Sequence, residues 1–225
     1  MEHQTVLPFY LDEEVSLDSF YPGGNGAVIQ ALFGLLDGKR DKSVIYLWGG
    51  SGSGKTHLLN GCCNYAREKG FSYAYLPMLS QRQLPELISE KMVLCIDDIQ
   101  YVVGDISKQK ALLSLYERVL MSNGSVVIAA IQPVREIQLE LKDLSSRITS
   151  GGEFGLSPLQ DNEKKQALKE RANLRGFELS DSVINFLMTH YHRDTGSLFA
   201  LLEKIDRVSL SEQKRITIPF VKTLL

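Results

Sequence analysis

Only three of the 225 residues are cysteine and one is tryptophan. Cys62, Cys63 and Cys95 are an odd set, two of them adjacent on a predicted helix; this excludes a disulfide framework and fits a reducing compartment. Adjacent helical residues point about 100° apart, so Cys62 and Cys63 are ill placed to share a metal and read as buried structural thiols. His3, His57, His190 and His192 form no cluster with carboxylates at metal-ligand spacing, although His190, His192 and Asp194 lie close in sequence. No apolar run approaches the roughly 20 residues of a membrane span, and the N-terminus has no basic region leading into an apolar stretch. Secretion and membrane insertion are therefore excluded, and a cytoplasmic protein is expected. Charge of one sign is lacking too: 25 basic against 27 acidic residues give −2. No Lys/Arg stripe could neutralise many phosphates of a duplex, so strong direct DNA binding is not expected. Internal repeats and low-complexity tracts are absent.

What is present suits a packed core: 44% of the residues are hydrophobic, in a chain long enough for one α/β domain and a smaller appendage. Short apolar runs rich in β-branched and aromatic residues at 44–48, 73–76, 93–96 and 126–130 read as buried strands. Helical patterns at 55–69, 85–90 and 107–121 lie between them, which predicts a doubly wound parallel sheet covered on both faces. From about Pro158 the strand signals stop. Helices are predicted at 161–175, 181–190 and 195–210, followed by a short tail from Ile216, with Gly176 as a C′ glycine and Ser180 or Asp181 as a cap. Gly151-Gly152 reads as a hinge. The first fifteen residues hold too few periodic apolar positions for a packed element. The expected organisation is a flexible arm at 1–15, a nucleotide-binding α/β domain at 16–157 and a helical domain at 158–225.

Gly49-Gly50-Ser51-Gly52-Ser53-Gly54-Lys55-Thr56 fits the P-loop pattern, following a predicted strand and opening a helix. Its glycines permit positive φ and bring successive N–H groups onto phosphate oxygens, where the helix N-terminus adds partial positive charge. Lys55 would bridge β and γ phosphates, and Thr56 would ligate Mg²⁺. The apolar run Val93-Leu94-Cys95-Ile96 ends in Asp97-Asp98, two carboxylates at the end of a parallel strand, where ligands bind in such sheets. Asp97 would hold Mg²⁺ through water and Asp98 would orient a hydrolytic water as general base.

At these residues a family resemblance becomes specific. Cys95-Ile96-Asp97-Asp98-Ile99-Gln100 with Gly104-Asp105, and Leu17-Asp18-Ser19-Phe20-Tyr21-Pro22-Gly23-Gly24-Asn25, resemble the Walker B region and the lead-in segment of the bacterial initiator DnaA. The initiator continues into a helix-turn-helix domain, whereas this sequence ends at Leu225 after a lid-like segment. Leu174-Arg175-Gly176-Phe177-Glu178-Leu179 and Ile216-Thr217-Ile218-Pro219-Phe220-Val221-Lys222 are similar to the lid and tail of the DnaA regulatory inactivator (Hda) family. The resemblance covers residues 17–225. It implies a P-loop AAA+ fold with a small helical lid, ADP or ATP with Mg²⁺ as cofactors, and Tyr21 and Pro22 beside the base.

That family docks on the replicative sliding clamp through an N-terminal hexapeptide, which Gln4-Thr5-Val6-Leu7-Pro8-Phe9 resembles. Gln4 would reach a polar notch while Leu7 and Phe9, spaced by Pro8, supply apolar anchors. Thr5 departs from the Leu often found at the second position. The resemblance also assigns Arg147 as an arginine finger, a permanently charged group suited to bridging phosphates on a neighbouring protomer. Two departures from the initiator stand out: Ile131 replaces an acidic sensor, and Gly196 falls where the second sensor is an Arg. A cradle lacking both is expected to hold ADP at least as well as ATP and to hydrolyse slowly. The implied function is regulation of replication initiation: the clamp-tethered protein stimulates hydrolysis of DnaA-bound ATP and so prevents re-initiation. A homodimer is compatible with this. The alternatives are a self-oligomerising AAA+ ATPase that loads or remodels a replication or transposition partner, and a small-molecule phosphotransferase, which would need arginine clamps where the lid's basic residues look surface-like.

Overall fold

The computed structural model describes residues 15–39, 43–80, 84–85 and 88–225. It separates into two compact units, Met1–Ser157 and Pro158–Leu225. In the first, five strands form one sheet: β1 (Val44–Trp48), β2 (Tyr73–Pro77), β3 (Val93–Asp97), β4 (Ser125–Ala130) and β5 (Gly152–Gly155), in the order β2-β3-β4-β1-β5. Every pairing is parallel. Parallel strands need crossovers, and these are α2 (Lys55–Glu68) after β1, α3 (Ile106–Met121) after β3 and α4 (Lys142–Thr149) after β4, with α1 (Gly26–Leu36) preceding the sheet.

The alternation of side chains across each strand assigns the two faces. Val44 and Tyr46 of β1 pack with Leu112 and Leu115 of α3 and with Leu144 and Ile148 of α4. Ile45 and Leu47 point the other way, to Leu32 of α1 and to Leu58, Leu59 and Cys62 of α2. Each of these buried apolar side chains contributes about 1.5–3 kcal/mol relative to exposure. All three cysteines are buried and free. The sheet covered on both faces is the architecture expected from the apolar runs.

Three local expectations are corrected. The described residues of the segment 85–90 carry no helix; Leu84 and Ile88 instead pack against the core cluster of β3 and α3. The sequence Gly151-Gly152 is not a hinge, because Gly152 begins β5, paired in register Ile45↔Gly152 through Trp48↔Gly155. A Cβ on Gly151 would lie 2.9 Å from the Val44 carbonyl oxygen, and one on Gly155 would lie 2.7 Å from the Trp48 ring. These glycines serve close approach to β1, and a four-residue strand built on them lacks the β-branched run that marks the others. Finally, Arg171 and Arg175 are not surface-like: their side chains are 11% and 17% exposed and are bound to Glu203 and Asp206 at 2.9–3.3 Å.

The second unit contains α5 (Asp161–Leu174), α6 (Asp181–His190), α7 (Thr195–Glu212) and α8 (Ile218–Lys222). Its boundaries follow from capping chemistry. The Glu163 carboxylate accepts the Gln160 N–H at 2.7 Å, the Ser180 hydroxyl accepts the Val183 N–H at 3.4 Å, and Asp194 accepts the Ser197 N–H at 2.8 Å. After α5 the chain reverses at Gly176, which has φ +81° and donates to the Asn173 carbonyl at 3.0 Å. Leu168, Leu187, Leu198, Leu202, Ile205 and Val221 form the core between these helices. No helix among the described residues is long and apolar enough to cross a membrane.

Candidate nucleotide site and arginine helix

The segment 49–56 leaves the C-terminal end of β1, which lies between β4 and β5, and opens α2. Gly54 is the left-handed residue before the helix, with φ +93°, and its absent Cβ makes room for Phe20, whose ring would otherwise lie 2.5 Å away. Nothing lies within 4 Å of a Cβ built on Gly50 or Gly52, so the loop presents open backbone on that side. Lys55 is buried, and its ammonium folds back to donate to the Gly49 and Gly50 carbonyls at 2.7 and 2.8 Å. Burial holds its pKa below the ordinary lysine value, while Asp97 and Asp98 pull the other way. The Ser53 hydroxyl donates to the Gly50 carbonyl at 2.9 Å, which closes the turn.

The end of β3 supplies the second half of the site. Asp97 is 4% exposed. Its Oδ2 accepts the Thr56 hydroxyl and the Tyr75 hydroxyl, both at 2.7 Å, and its Oδ1 accepts the Asp98 N–H at 3.0 Å. Burial, together with the charge and hydrogen bond of Asp97, pushes the Tyr75 phenol well above the ordinary tyrosine value, so Tyr75 is the donor. The next residue, Asp98, takes a left-handed conformation of φ 56°, ψ 48°. Its Oδ1 accepts the Gln100 amide at 2.9 Å and caps nothing. A non-glycine residue held in this region marks a backbone constrained by its surroundings.

The lead-in segment passes the same loop. Phe20 lies against Gly54 and its ring is 5.5 Å from that of His57. His57 Nε2 lies 3.1 Å from the Ser16 carbonyl oxygen, and Asn64 donates to the Val15 carbonyl at 2.6 Å, so α2 fixes residues 15–20. Tyr21 is half-buried and Pro22 exposed at the start of a tight turn closed by Asn25, whose N–H donates to the Pro22 carbonyl at 2.7 Å. The Asn25 side chain pairs with the Ser157 backbone in both directions, at 3.0 and 2.9 Å.

Arg147 belongs to a different environment. It lies in the last turn of α4 with its side chain 58% exposed, 3.3 Å from Glu117 of α3. Its carbonyl accepts the Tyr116 hydroxyl at 3.2 Å and the Ser150 hydroxyl at 2.7 Å, which anchors the backbone and leaves the guanidinium at the surface. Ile131, just beyond β4, is 52% exposed, and Gly196 lies in the first turn of α7. Gln4, Leu7, Pro8 and Phe9 lie outside the described residues.

The structure thus brings Lys55, Thr56, Asp97 and Asp98 together around one loop and keeps Arg147 on a surface helix. Sequence reasoning missed Tyr75, His57, Asn25 and Gln100. Gln100 and Asn25 were named only within the family-like segments, and His57 only as a candidate ligand; Tyr75 left its trace as a hydroxyl in a strand beside β3, where pairing in register with Cys95 puts it next to the Asp97 end. The donor set fits a nucleotide with its cation: open backbone at Gly50 and Gly52, a buried ammonium, a hydroxyl and a buried carboxylate. Among the described residues, no group of three or more His, Cys, Asp and Glu side chains is arranged to hold a metal by itself.

Comparison with known proteins agrees with this architecture. Residues 161–225 match the family model described as Hda, lid domain. The chain is similar to domain III of the Thermotoga maritima replication initiation protein DnaA, with a TM-score of 0.76 at 21% identity over 94% of this chain and 95% of that one. It is similar to AMPPCP-bound DnaA from Aquifex aeolicus, with a TM-score of 0.69 at 19% identity over 91% of this chain and 71% of that one. The Thermotoga maritima RuvB Holliday junction branch migration motor shares the fold more loosely, with a TM-score of 0.63 at 18% identity over 94% and 71%. The chain thus has the P-loop AAA+ fold of DnaA domain III, and its residues 161–225 match the Hda lid family.

Proposed function

We propose that this protein regulates the initiation of chromosome replication: it binds ADP or ATP with Mg²⁺ at residues 49–56, docks on the DNA polymerase sliding clamp, and stimulates hydrolysis of ATP held by DnaA. The match of residues 161–225 to the Hda lid carries this reading. The AMPPCP-bound DnaA of Aquifex aeolicus supports the nucleotide part by analogy of fold. Within the site, Lys55 and the backbone of Gly50 and Gly52 bind phosphate, Thr56 and Asp97 hold the cation, and Tyr21 and Pro22 flank the base. The cation neutralises phosphate charge when bound.

Arg147 acts on the partner's nucleotide. It is exposed, permanently charged, and, among the described residues, ion-paired with the half-exposed Glu117. Such pairs contribute about 0–1 kcal/mol, so the guanidinium is released at little cost when a phosphate presents itself. Gln4, Leu7, Pro8 and Phe9 tether the protein to loaded clamp and raise its concentration beside newly replicated DNA. The exposed Ile131 and Gly196 offer no charged sensor for a γ-phosphate, which is consistent with slow hydrolysis by the protein itself. A second reading, an ATPase that assembles with copies of itself, draws on the Thr56–Asp97 contact and on the Asp98 carboxylate as general base. ATP-dependent hexamers would favour it.

The test follows hydrolysis of ATP prebound to DnaA, with and without DNA-loaded clamp, for the wild type, Arg147→Ala and a chain lacking residues 1–10. The expected result is acceleration only by the wild type and only with loaded clamp, with Arg147→Ala losing on the order of 10³-fold of the stimulation. Equal rates for all three proteins would refute the reading.

A further inference from the structure

Asp97 is buried, and a buried carboxylate must have its lone pairs accounted for. It offers about four acceptor positions. Thr56 and Tyr75 occupy the two on Oδ2, and the Asp98 N–H takes one on Oδ1. One position on Oδ1 is left by these three donors. The Thr56 donor comes from the P-loop helix, and a hydroxyl that donates its proton to Asp97 turns its own lone pairs away from the carboxylate. Tyr75 comes from β2, the neighbouring edge strand, and holds Oδ2 from a second direction. Two donors from two elements fix both the rotation of the carboxylate and which oxygen is spoken for.

We propose that Tyr75 is a positioning residue for the cation of the bound nucleotide: its hydroxyl, donating to Asp97 Oδ2, fixes the rotation of the carboxylate, so that Oδ1 and the Thr56 hydroxyl oxygen would be available to hold the cation. This rests on the nucleotide-binding reading above and adds a residue to that site. Outer-shell partners of this kind typically carry 10–100-fold of metal affinity, because a ligand free to rotate must be ordered on binding. Tyr75 has no part in holding phosphate, so its effect belongs to the metal-dependent share of nucleotide affinity alone.

The test titrates the full chain with N-methylanthraniloyl-ADP by fluorescence, in excess MgCl₂ and in EDTA, for the wild type, Tyr75→Phe and Tyr75→Gln. Phenylalanine keeps the ring and removes only the donor, while glutamine keeps a donor. The wild type is expected to bind more tightly with Mg²⁺. Tyr75→Phe is expected to lose about tenfold of that enhancement with its metal-free affinity unchanged, and Tyr75→Gln to recover part of it. An undiminished enhancement in Tyr75→Phe, or an equal loss with and without Mg²⁺, overturns the positioning role while leaving nucleotide binding intact. Failure of the wild type to bind the probe under either condition overturns the nucleotide reading, and this inference with it.

Discussion

Asp97 and Arg147 are charged residues of the same domain in opposite physical situations. Asp97 is 4% exposed and accepts hydrogen bonds from Thr56, Tyr75 and the Asp98 backbone. Arg147 keeps 58% of its side-chain surface and shares one contact with Glu117, itself 40% exposed. The buried carboxylate is oriented before any ligand arrives, since each donor aimed at it offsets part of the cost of taking charge out of water. The surface arginine is anchored through its backbone and holds its guanidinium only by the exposed pair with Glu117 among the described residues, so whatever it acts on must complete its geometry. One group belongs to a preorganised site within the chain, and the other is fit for presentation to a second molecule.

This contrast is open to mutation. The largest effect on stability is expected from Asp97→Ala, which leaves the Thr56 and Tyr75 hydroxyls and the Asp98 N–H without their acceptor at a cost of about 1–3 kcal/mol. Urea unfolding reads it, and an unchanged midpoint would mean that the site is less preorganised than its geometry implies. An intermediate effect is expected at the Asp194 cap of α7. The Ser197 backbone N–H holds this carboxyl below the ordinary aspartate value. A lowered folded-state pKa contributes stability above the unfolded value near 3.9, lost as pH falls through the folded value. Asp194→Ala should cost about 1 kcal/mol at neutral pH. Asp194→Asn should flatten the acid limb of the stability profile below about pH 4, as followed by circular dichroism. The smallest effect is expected from Arg147→Ala, within about 0.5 kcal/mol of wild type in thermal unfolding. A larger loss would make Arg147 a structural residue and weaken its assignment to a partner's nucleotide.

Much of the fold was legible because its signals are local. Four of the five strands stand out as apolar runs, and Ser180 and Gly176 mark helix ends within a few residues of the bonds they make. Strand β5 was hidden because its glycines answer to the Val44 carbonyl and the Trp48 ring across the sheet, more than 100 residues earlier in sequence. The segment 85–90 shows the converse: its apolar residues suggest a helix, but Ile88, with the preceding Leu84, is used to cover the core. In the site, residues 49–56 and the Asp97-Asp98 pair announce their chemistry through spacing alone. Tyr75 and Asn25 do not, because each bonds to an atom whose nearness depends on chain folding, Asp97 and Ser157 respectively.

The sequence by itself determined that this chain carries a strand-to-helix glycine loop, a buried strand ending in carboxylates and a helical C-terminal domain, since each is written in runs of contiguous residues. Tertiary structure alone decided that Tyr75 faces Asp97, that Lys55 folds back onto its own loop, that Arg171 and Arg175 are tied to Glu203 and Asp206, and that Arg147 stays at the surface. Parallel pairing and helix packing bring distant residues to hydrogen-bonding distance, and neither register nor burial is encoded in the spacing of the residues they join.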